Sequence, residues 1–528
     1  MIDTDLTSCP CISKTKHISV PTSPASEFTL HHNAIPIPTE RLGILSTLSQ
    51  VQHDIAEVDD ALAHLESAQK LLLSKREALK AFSDTHTGLL SSIRTMPAEI
   101  LVEIFAYLKP RSLHPQDSAQ AILLVTHICQ QWRNIALSTP SLWDVIFANT
   151  YRALGGEALA AYAQASLSRA RGAPLSINFQ CSCNDTFNAV LDVILPSSHM
   201  WRHAKISLRP EINLSRIRNH LPLLEELHLL HIPDAEDEEG AFLDAFAIAP
   251  MLTCVRLSPS MGGFAGAIQL PWNQLTSFHS EFAFTIGRSI KVLQDLSNVV
   301  SLTMLVSKNA PDDDLDQTPH NHPLRLTKLE NLKLTEVYGA PSLLSRLTLP
   351  SLKSLALCQA IVSAIHILDS LLSLIHRSSC SLTSLDLRTE PLDAQTSFED
   401  LCRAIPKLEH LCLRMLGSNT EYWTHHAVIR SLSVPLPSGT VLPRLQTLKL
   451  EQADNSGPTQ VGEFVNMVES RFRVSNETSE SPVSCIKSVE YYNISNDWLF
   501  DSTVLERLEQ CAEEGLHIHV YRHRIPFM

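Results

Sequence analysis

The sequence predicts an α+β protein of several domains: an N-terminal coiled-coil helix, a small all-α module, and an irregular α/β solenoid built of repeats. Three observations predict it. An apolar heptad pattern starts at Ile44, a Pro-punctuated apolar stretch runs from Ile93 to Trp143, and a six-residue Leu motif then recurs down the rest of the chain. The 528 residues are 44% hydrophobic and 19% charged, so cores can form over most of the length and global disorder is excluded.

Charge and cysteine usage narrow the partners. Lys plus Arg number 42 against 56 Asp plus Glu, a formal charge of −14, which argues against a nucleic-acid partner, because such a partner needs a basic surface. Nearly all of the 12 cysteines stand singly, several inside apolar runs (Cys129, Cys254, Cys358, Cys402, Cys412), as thiols of a reducing interior do. The pairs Cys9/Cys11 and Cys181/Cys183 lack the four-ligand spacing of a structural zinc site, and no cofactor is expected. The first residues, with Asp3 and Asp5, hold no secretory signal. The apolar run Leu355–Ile375 is interrupted by Gln359, His366 and Asp369, so it reads as a buried strand followed by a buried helix rather than a membrane span. The expected location is cytoplasm, nucleus or both.

In order along the chain, residues 1–39 are polar and rich in Pro and Ser, and are expected to be a disordered leader. A helix is expected over 40–85. Ile44, Leu48, Val51, Ile55, Val58, Leu62, Leu65, Gln69, Leu72, Arg76 and Leu79 recur at alternating steps of four and three. That spacing draws one stripe down a helix, which must find a partner. The partner is either a second copy, joined through residues 44–80, or the body of the same protein. Gln69 and Arg76 weaken the C-terminal half of the seam.

A third element covers 90–147. Pro97 suits a first helical turn, and Ile100, Leu101, Ile104, Phe105 and Leu108 follow at helical spacing. Pro110 and Pro115 break the chain. A second helix then carries Ile122, Leu123, Val125, Ile128, Cys129, Trp132 and Ile135, and ends before Pro140. So few short helices cannot bury that much apolar surface unaided, so something else must cover part of it. The order M-P-x-E-I-L-x-E-I-F-x-x-L, then V-x-x-I-C-x-x-W-R-x-I-A, then T-P-x-L-W, resembles an F-box-like domain of the fungal type. The chain departs from that pattern in a long Leu108–Ile122 connection and in Gln130-Gln131 before the Trp. The resemblance implies docking onto the Skp-family adaptor of SCF-type ubiquitin ligases, and through it onto a cullin scaffold. It places the adaptor contact on Pro97, Ile100, Leu101, Ile104, Phe105, Leu108, Val125, Cys129 and Trp132.

Residues 148–200 are expected to be a helical connector. From 201 to 528 the motif L-x-x-L-x-L repeats, with starts at 201, 224, 252, 275, 299, 329, 352, 382, 408, 445 and 486. Most spacings are 23 to 30 residues, the period of leucine-rich repeats, which supply a short strand and a helix per turn. A Pro precedes several units (APML, LPSL, IPKL, LPRL) and ends the preceding helix. The Asn or Cys expected after each motif is missing at Val337, Ala360, Glu390, Leu416 and Ala453, which predicts irregular turns. Within each strand the residues between the Leu positions face away from the core, toward the open side where a repeat protein binds its target. They include Lys205, His228, Arg256, His279, Lys333, Asp386, Arg388, His410, Arg414 and Lys449, with Glu226, Glu281, Glu451 and Glu490 among them. Acidic runs at 234–239 and 312–316 read as solvated loops.

No Gly-rich phosphate loop, G-x-S-x-G elbow or H-E-x-x-H occurs. His517, His519 and His523 read as exposed imidazoles of a last strand, and no enzymatic residue is nominated. The expected role is substrate receptor of an SCF-type ligase, with the F-box docking the adaptor and the repeats holding a protein target. The alternative is a binding scaffold without ligase function, using coil and repeats alone. A hydrolase hidden in the repeats lacks a triad.

Overall fold

The computed structural model describes residues 10–32, 34–109, 118–149, 156–180, 184–208, 214–231, 244–258, 268–306, 323–335, 339–358, 364–389, 395–415, 423–434, 440–452, 458–473, 483–493 and 502–521. The acidic runs, the Cys181/Cys183 pair and the five turn positions after the Leu motifs fall outside them. The chain divides into two compact units, Met1–Ile100 and Leu101–Met528.

The first unit contains α1 (Pro10–Thr15), α2 (Glu27–His31) and α3 (Pro38–Leu89). Pro38 stands in the first turn of α3, where its missing N–H costs nothing, and Ala, Leu, Glu, Lys and Gln then carry the helix for 52 residues. Residues 18–25 lie along the N-terminal half of α3, and Glu40 fastens the turn. Its carboxylate accepts from the backbone N–H of Ser26 (3.1 Å) and Ile37 (3.3 Å) and from the Thr29 hydroxyl (3.3 Å). Those bonds, the Ser26 N–H first, hold the Glu40 pKa below its usual value. The heptad stripe has few covering groups within this unit: Leu48, Ile55, Leu62, Leu72 and Leu79 are each more than half exposed.

The second unit begins within α4 (Ala98–Ala106) and continues with α5 (Ser118–Ile128) and α6 (Gln130–Ser138). The second helix of the module is thus two helices. Cys129 adopts an extended conformation (φ −157°) and its sulfur accepts the Trp132 N–H, so it caps α6 instead of continuing α5. Arg133 bridges the break by donating to the Thr126 carbonyl (2.7 Å).

The remaining elements alternate strand and helix. The strands are β1 (Val145–Asn149), β2 (Leu175–Gln180), β3 (Trp201–Leu208), β4 (Glu226–His231), β5 (Cys254–Leu257), β6 (Ser277–Phe284), β7 (Ser301–Val306), β8 (Leu324–Arg325), β9 (Asn331–Thr335), β10 (Leu347–Thr348), β11 (Ser354–Cys358), β12 (Ser384–Thr389), β13 (His410–Met415), β14 (Thr447–Gln452), β15 (Ser488–Asn493) and β16 (His517–Tyr521). The helices are α7 (Gly156–Ala170), α8 (Asn184–Ile194), α9 (Ile286–Asp295), α10 (Ala340–Ser345), α11 (Ala364–Ser378), α12 (Gln395–Ala404), α13 (Trp423–Leu432), α14 (Pro458–Phe472) and α15 (Ser502–Glu513). Fourteen strands pair in chain order into one parallel sheet, while β8 and β10 form a separate pair. β1 and β16 are its edges, so the sheet does not close into a barrel.

Each of the eleven Leu-motif units supplies one strand of that sheet. The first strand Leu of each unit forms a single cross-strand row, running Leu302, Leu332, Leu355, Leu385, Leu411 and Leu448 through the middle of the sheet. All six are 2% exposed or less. Parallel strands buried this way demand covering helices, and α10 to α15 provide them. The span expected to be a helical connector, 148–200, contains α7 and α8 and also β2 and the end of β1, so the sheet starts at Val145, not at 201. Leu175, Ile177 and Phe179 are its buried side. Leu355–Ile375 is strand β11 followed by α11, and no helix among the described residues is long and apolar enough to cross a membrane.

Two arginines tie successive layers together. Arg377 on α11 donates to the Leu344 and Leu347 carbonyls, and Arg471 on α14 to those of Leu432, Val441 and Leu442. Arg471 is fully buried.

Candidate functional site

Two places on the second unit gather the residues singled out by sequence. The first is the helical module. α4 is apolar on two stripes, and the fold uses one of them. Leu101 (0% exposed) and Phe105 (1%) turn inward with Val125 (2%), and the Phe105 and Trp132 rings meet at 5.0 Å between centroids. Trp143 closes the bottom of this core, donating its indole N–H to the Ala136 carbonyl (2.8 Å) with the Arg169 guanidinium 4.3 Å above its ring. Lys109 and Asp144 add an ion pair of 2.7 Å.

This packing divides the residues nominated for adaptor contact between core and surface. Leu101, Phe105 and Val125 are core residues and present no surface. Cys129, although exposed, serves as the α6 cap, and Trp132 is half-buried against Phe105. Pro97, Ile100, Ile104 and Leu108 remain exposed. Sequence reasoning missed their neighbours in kind: Tyr107 on the turn after α4, and Leu124 (65% exposed) and Ile128 (61%) on α5. Leu124 and Ile128 stand four residues apart, one above the other on the outer side of α5. The signal that finds them is the same i, i+4 spacing that Val125 and Cys129 show one residue later.

The second place is the sheet face opposite the helices. Lys205, His228, Arg256, His279, Lys333, Asp386 and Lys449 share one cross-strand row. Thr303 stands between His279 and Lys333, Ala356 between Lys333 and Asp386, and Cys412 between Asp386 and Lys449. His410 belongs to the row before, and Arg388 and Arg414 pair with each other in the row after. All ten nominated residues therefore lie on one face.

Their charges are mostly spent within the face. Arg256 reaches Glu226 (3.1 Å) and His279 reaches Glu281 (3.3 Å). Arg414 donates to Asp386 (2.9 Å) and lies 3.8 Å from Glu451. Lys449 pairs with Glu490 (2.8 Å) and lies 4.6 Å from the centre of the Tyr492 ring, which stacks on Tyr521 at 4.3 Å. The Lys449 ammonium holds the Glu490 pKa below its usual value. Lys205 is a correction: it is 7% exposed, and loss of water pulls its pKa down. Arg388 and Arg414 stand side by side, and Asp386 and Glu451 offset the Arg414 charge. Cys412, between these groups, has its thiol pushed up to about 11, chiefly by burial. No cluster of metal-ligating side chains occurs among the described residues.

Comparison with known families bears on the first place. Residues 93–149 match the F-box-like family, a span that takes in α4, α5, α6 and strand β1. No curated protein gives a match to the chain.

Proposed function

We propose, with an F-box-like segment at residues 93–149 as the premise, that this chain is the substrate receptor of an SCF-type ubiquitin ligase. The observation that carries the reading is the pairing of that match with apolar side chains left outside the module's own core. Ile104, Leu108, Leu124 and Ile128 are 39 to 65% exposed, and a Skp-family adaptor seated over them would remove that apolar area from water. The adaptor would bring the cullin. The sheet and its helices, read as an irregular leucine-rich-repeat solenoid, would hold a protein target on the face that carries Arg256, Lys333, Arg388 and His410. The receptor then needs no catalytic residue of its own: it raises the local concentration of the target's lysines near a charged conjugating enzyme.

The test is co-purification of the full chain with adaptor and cullin. Changing Leu124 and Ile128 to Asp places charge on exposed positions, so the module stays folded and adaptor recovery falls at least about tenfold, as anchors of this kind are worth about 2 kcal/mol or more each. An unmutated chain that recovers no adaptor refutes the receptor reading and leaves a binding scaffold.

A further inference from the structure

Three cationic residues on the open face of the sheet are held in ion pairs: Arg256 by Glu226, Arg414 by Asp386 and Lys449 by Glu490. A fourth, Lys205, is buried. Lys333 on β9 and Arg388 on β12 differ. Among the described residues neither is in an ion pair, and the Arg388 Nε–H is shielded from solvent without an acceptor. A donor left in that condition calls for a partner.

The ground between the two cations is low. β11 lies between β9 and β12, and its open-face residues there are Ala356, level with Lys333, and Cys358, level with Thr335. Strands stand about 4.8 Å apart, so the two backbones are roughly 10 Å apart across side chains too short to fill the interval. Lys333, Arg414 and Arg388 all oppose the rise in the Cys358 pKa that burial and Asp386 produce, so positive charge acts across that floor.

We propose that Lys333 and Arg388, facing each other diagonally over Ala356 and Cys358, form the seat for a carboxylate side chain on an extended acidic segment of a protein partner. The inference rests on the reading of this face as the target-binding surface and supplies its chemistry. A carboxylate suits the seat because Asp386 stands in the Lys333 row beside it: one negative charge meets two cations, whereas a dianionic phosphate sets its second charge against that carboxylate. A planar carboxylate also matches the forked geometry of a guanidinium.

The experiment measures fluorescence anisotropy of a labelled oligo-glutamate peptide with the full chain at low ionic strength. The unmutated protein binds it, and Lys333→Met and Arg388→Met each weaken binding about tenfold, the scale of one hydrogen bond to a charged group. Arg216→Met and Arg403→Met, which remove exposed cations already ion-paired to Asp192 and Asp400 away from this face, change it less than about twofold. Lys333 is exposed, so its variant keeps the test valid should Arg388→Met disturb folding. No binding by the unmutated chain overturns the proposal, as does equal loss in the two control variants, which would mark diffuse attraction. A phosphoserine peptide of equal length that binds more tightly, and loses that advantage in the double variant, overturns the carboxylate assignment. Adaptor co-purification on the same preparation separates the two readings. Adaptor recovered without peptide binding defeats the seat alone, and peptide bound without adaptor defeats the ligase reading alone.

Discussion

Replacing Arg471 with Met tests how the layers of the second unit are held. The guanidinium is fully buried and donates to three carbonyls: Leu432 at the end of α13, Val441 (2.8 Å), and Leu442 (3.1 Å). Leu442 has φ of +50°, a left-handed conformation unfavourable for a branched side chain, so its backbone is held where it would not rest unaided. Two effects compete. Burial pulls the Arg471 pKa down to about 10, which corresponds to about 3 kcal/mol of desolvation that Met would relieve. Against that, Met orphans the buried Leu432 and Val441 carbonyls at about 1–3 kcal/mol each and leaves the Leu442 carbonyl to the Leu445 N–H alone. The orphaned acceptors win, and the variant should lose about 1 kcal/mol. Urea denaturation reads the global loss. Native-state hydrogen exchange reads the local one, at the Leu445 amide, which bonds to the Leu442 carbonyl, and the Val434 amide, which bonds to Ser470. Arg471→Lys should do little better than Met, since an ammonium cannot span three carbonyls. A Met variant as stable as the parent, with unchanged exchange at those amides, would refute the claim that this side chain fastens α14 to the segment before β14.

Two further outcomes are expected. Phe105→Ala removes a fully buried ring from the helical module and should cost about 3–5 kcal/mol, read as early melting of α4 to α6 by hydrogen exchange; a loss of adaptor with unchanged melting would instead make Phe105 a contact residue. Leu62→Asp with Leu65→Asp places charge in the α3 stripe and should turn a self-associated chain into a monomer in sedimentation velocity, whereas a monomer before and after would assign the stripe to the protein's own body.

The sheet was legible because its signal is direct. The Leu residues at the fourth and sixth positions of each motif point to one face of a strand and the residue between them to the other, and register between neighbours follows once those Leu residues share one row. β1 and β2 escaped that reading because neither carries the full motif. In β2 the clue was only Leu175, Ile177 and Phe179 at period two, with Asn178 between them also buried (1% exposed), which blurs the alternation. Which stripe of α4 faces inward was not legible at all. Ile100 and Ile104 have the same spacing and hydrophobicity as Leu101 and Phe105, and only the position of Trp132 decides between them. Nor does helical spacing reveal the break at Cys129, because the apolar pattern runs through it and a single extended residue changes no residue type. Charge pairing on the open face lay equally beyond the sequence: Arg388 and Arg414 are alike in the motif, and Asp386 reaches one of them.

Strand β1 closes the F-box-like segment and is at the same time the first strand of the sheet, hydrogen-bonded along its length to β2. There is accordingly no tether between the segment and the sheet at which they could swivel. The sheet then works as a graduated scale. Each inserted or deleted strand–helix unit shifts everything beyond it by one strand spacing, about 4.8 Å. Lys333 and Arg388 stand seven and nine strands along from β1, which is roughly 34 and 43 Å of travel across the sheet. Spacing in such a protein changes by whole steps, and removing one unit between β3 and β7 would move Lys333 and Arg388 a fixed increment toward the F-box-like segment while leaving both chemically untouched.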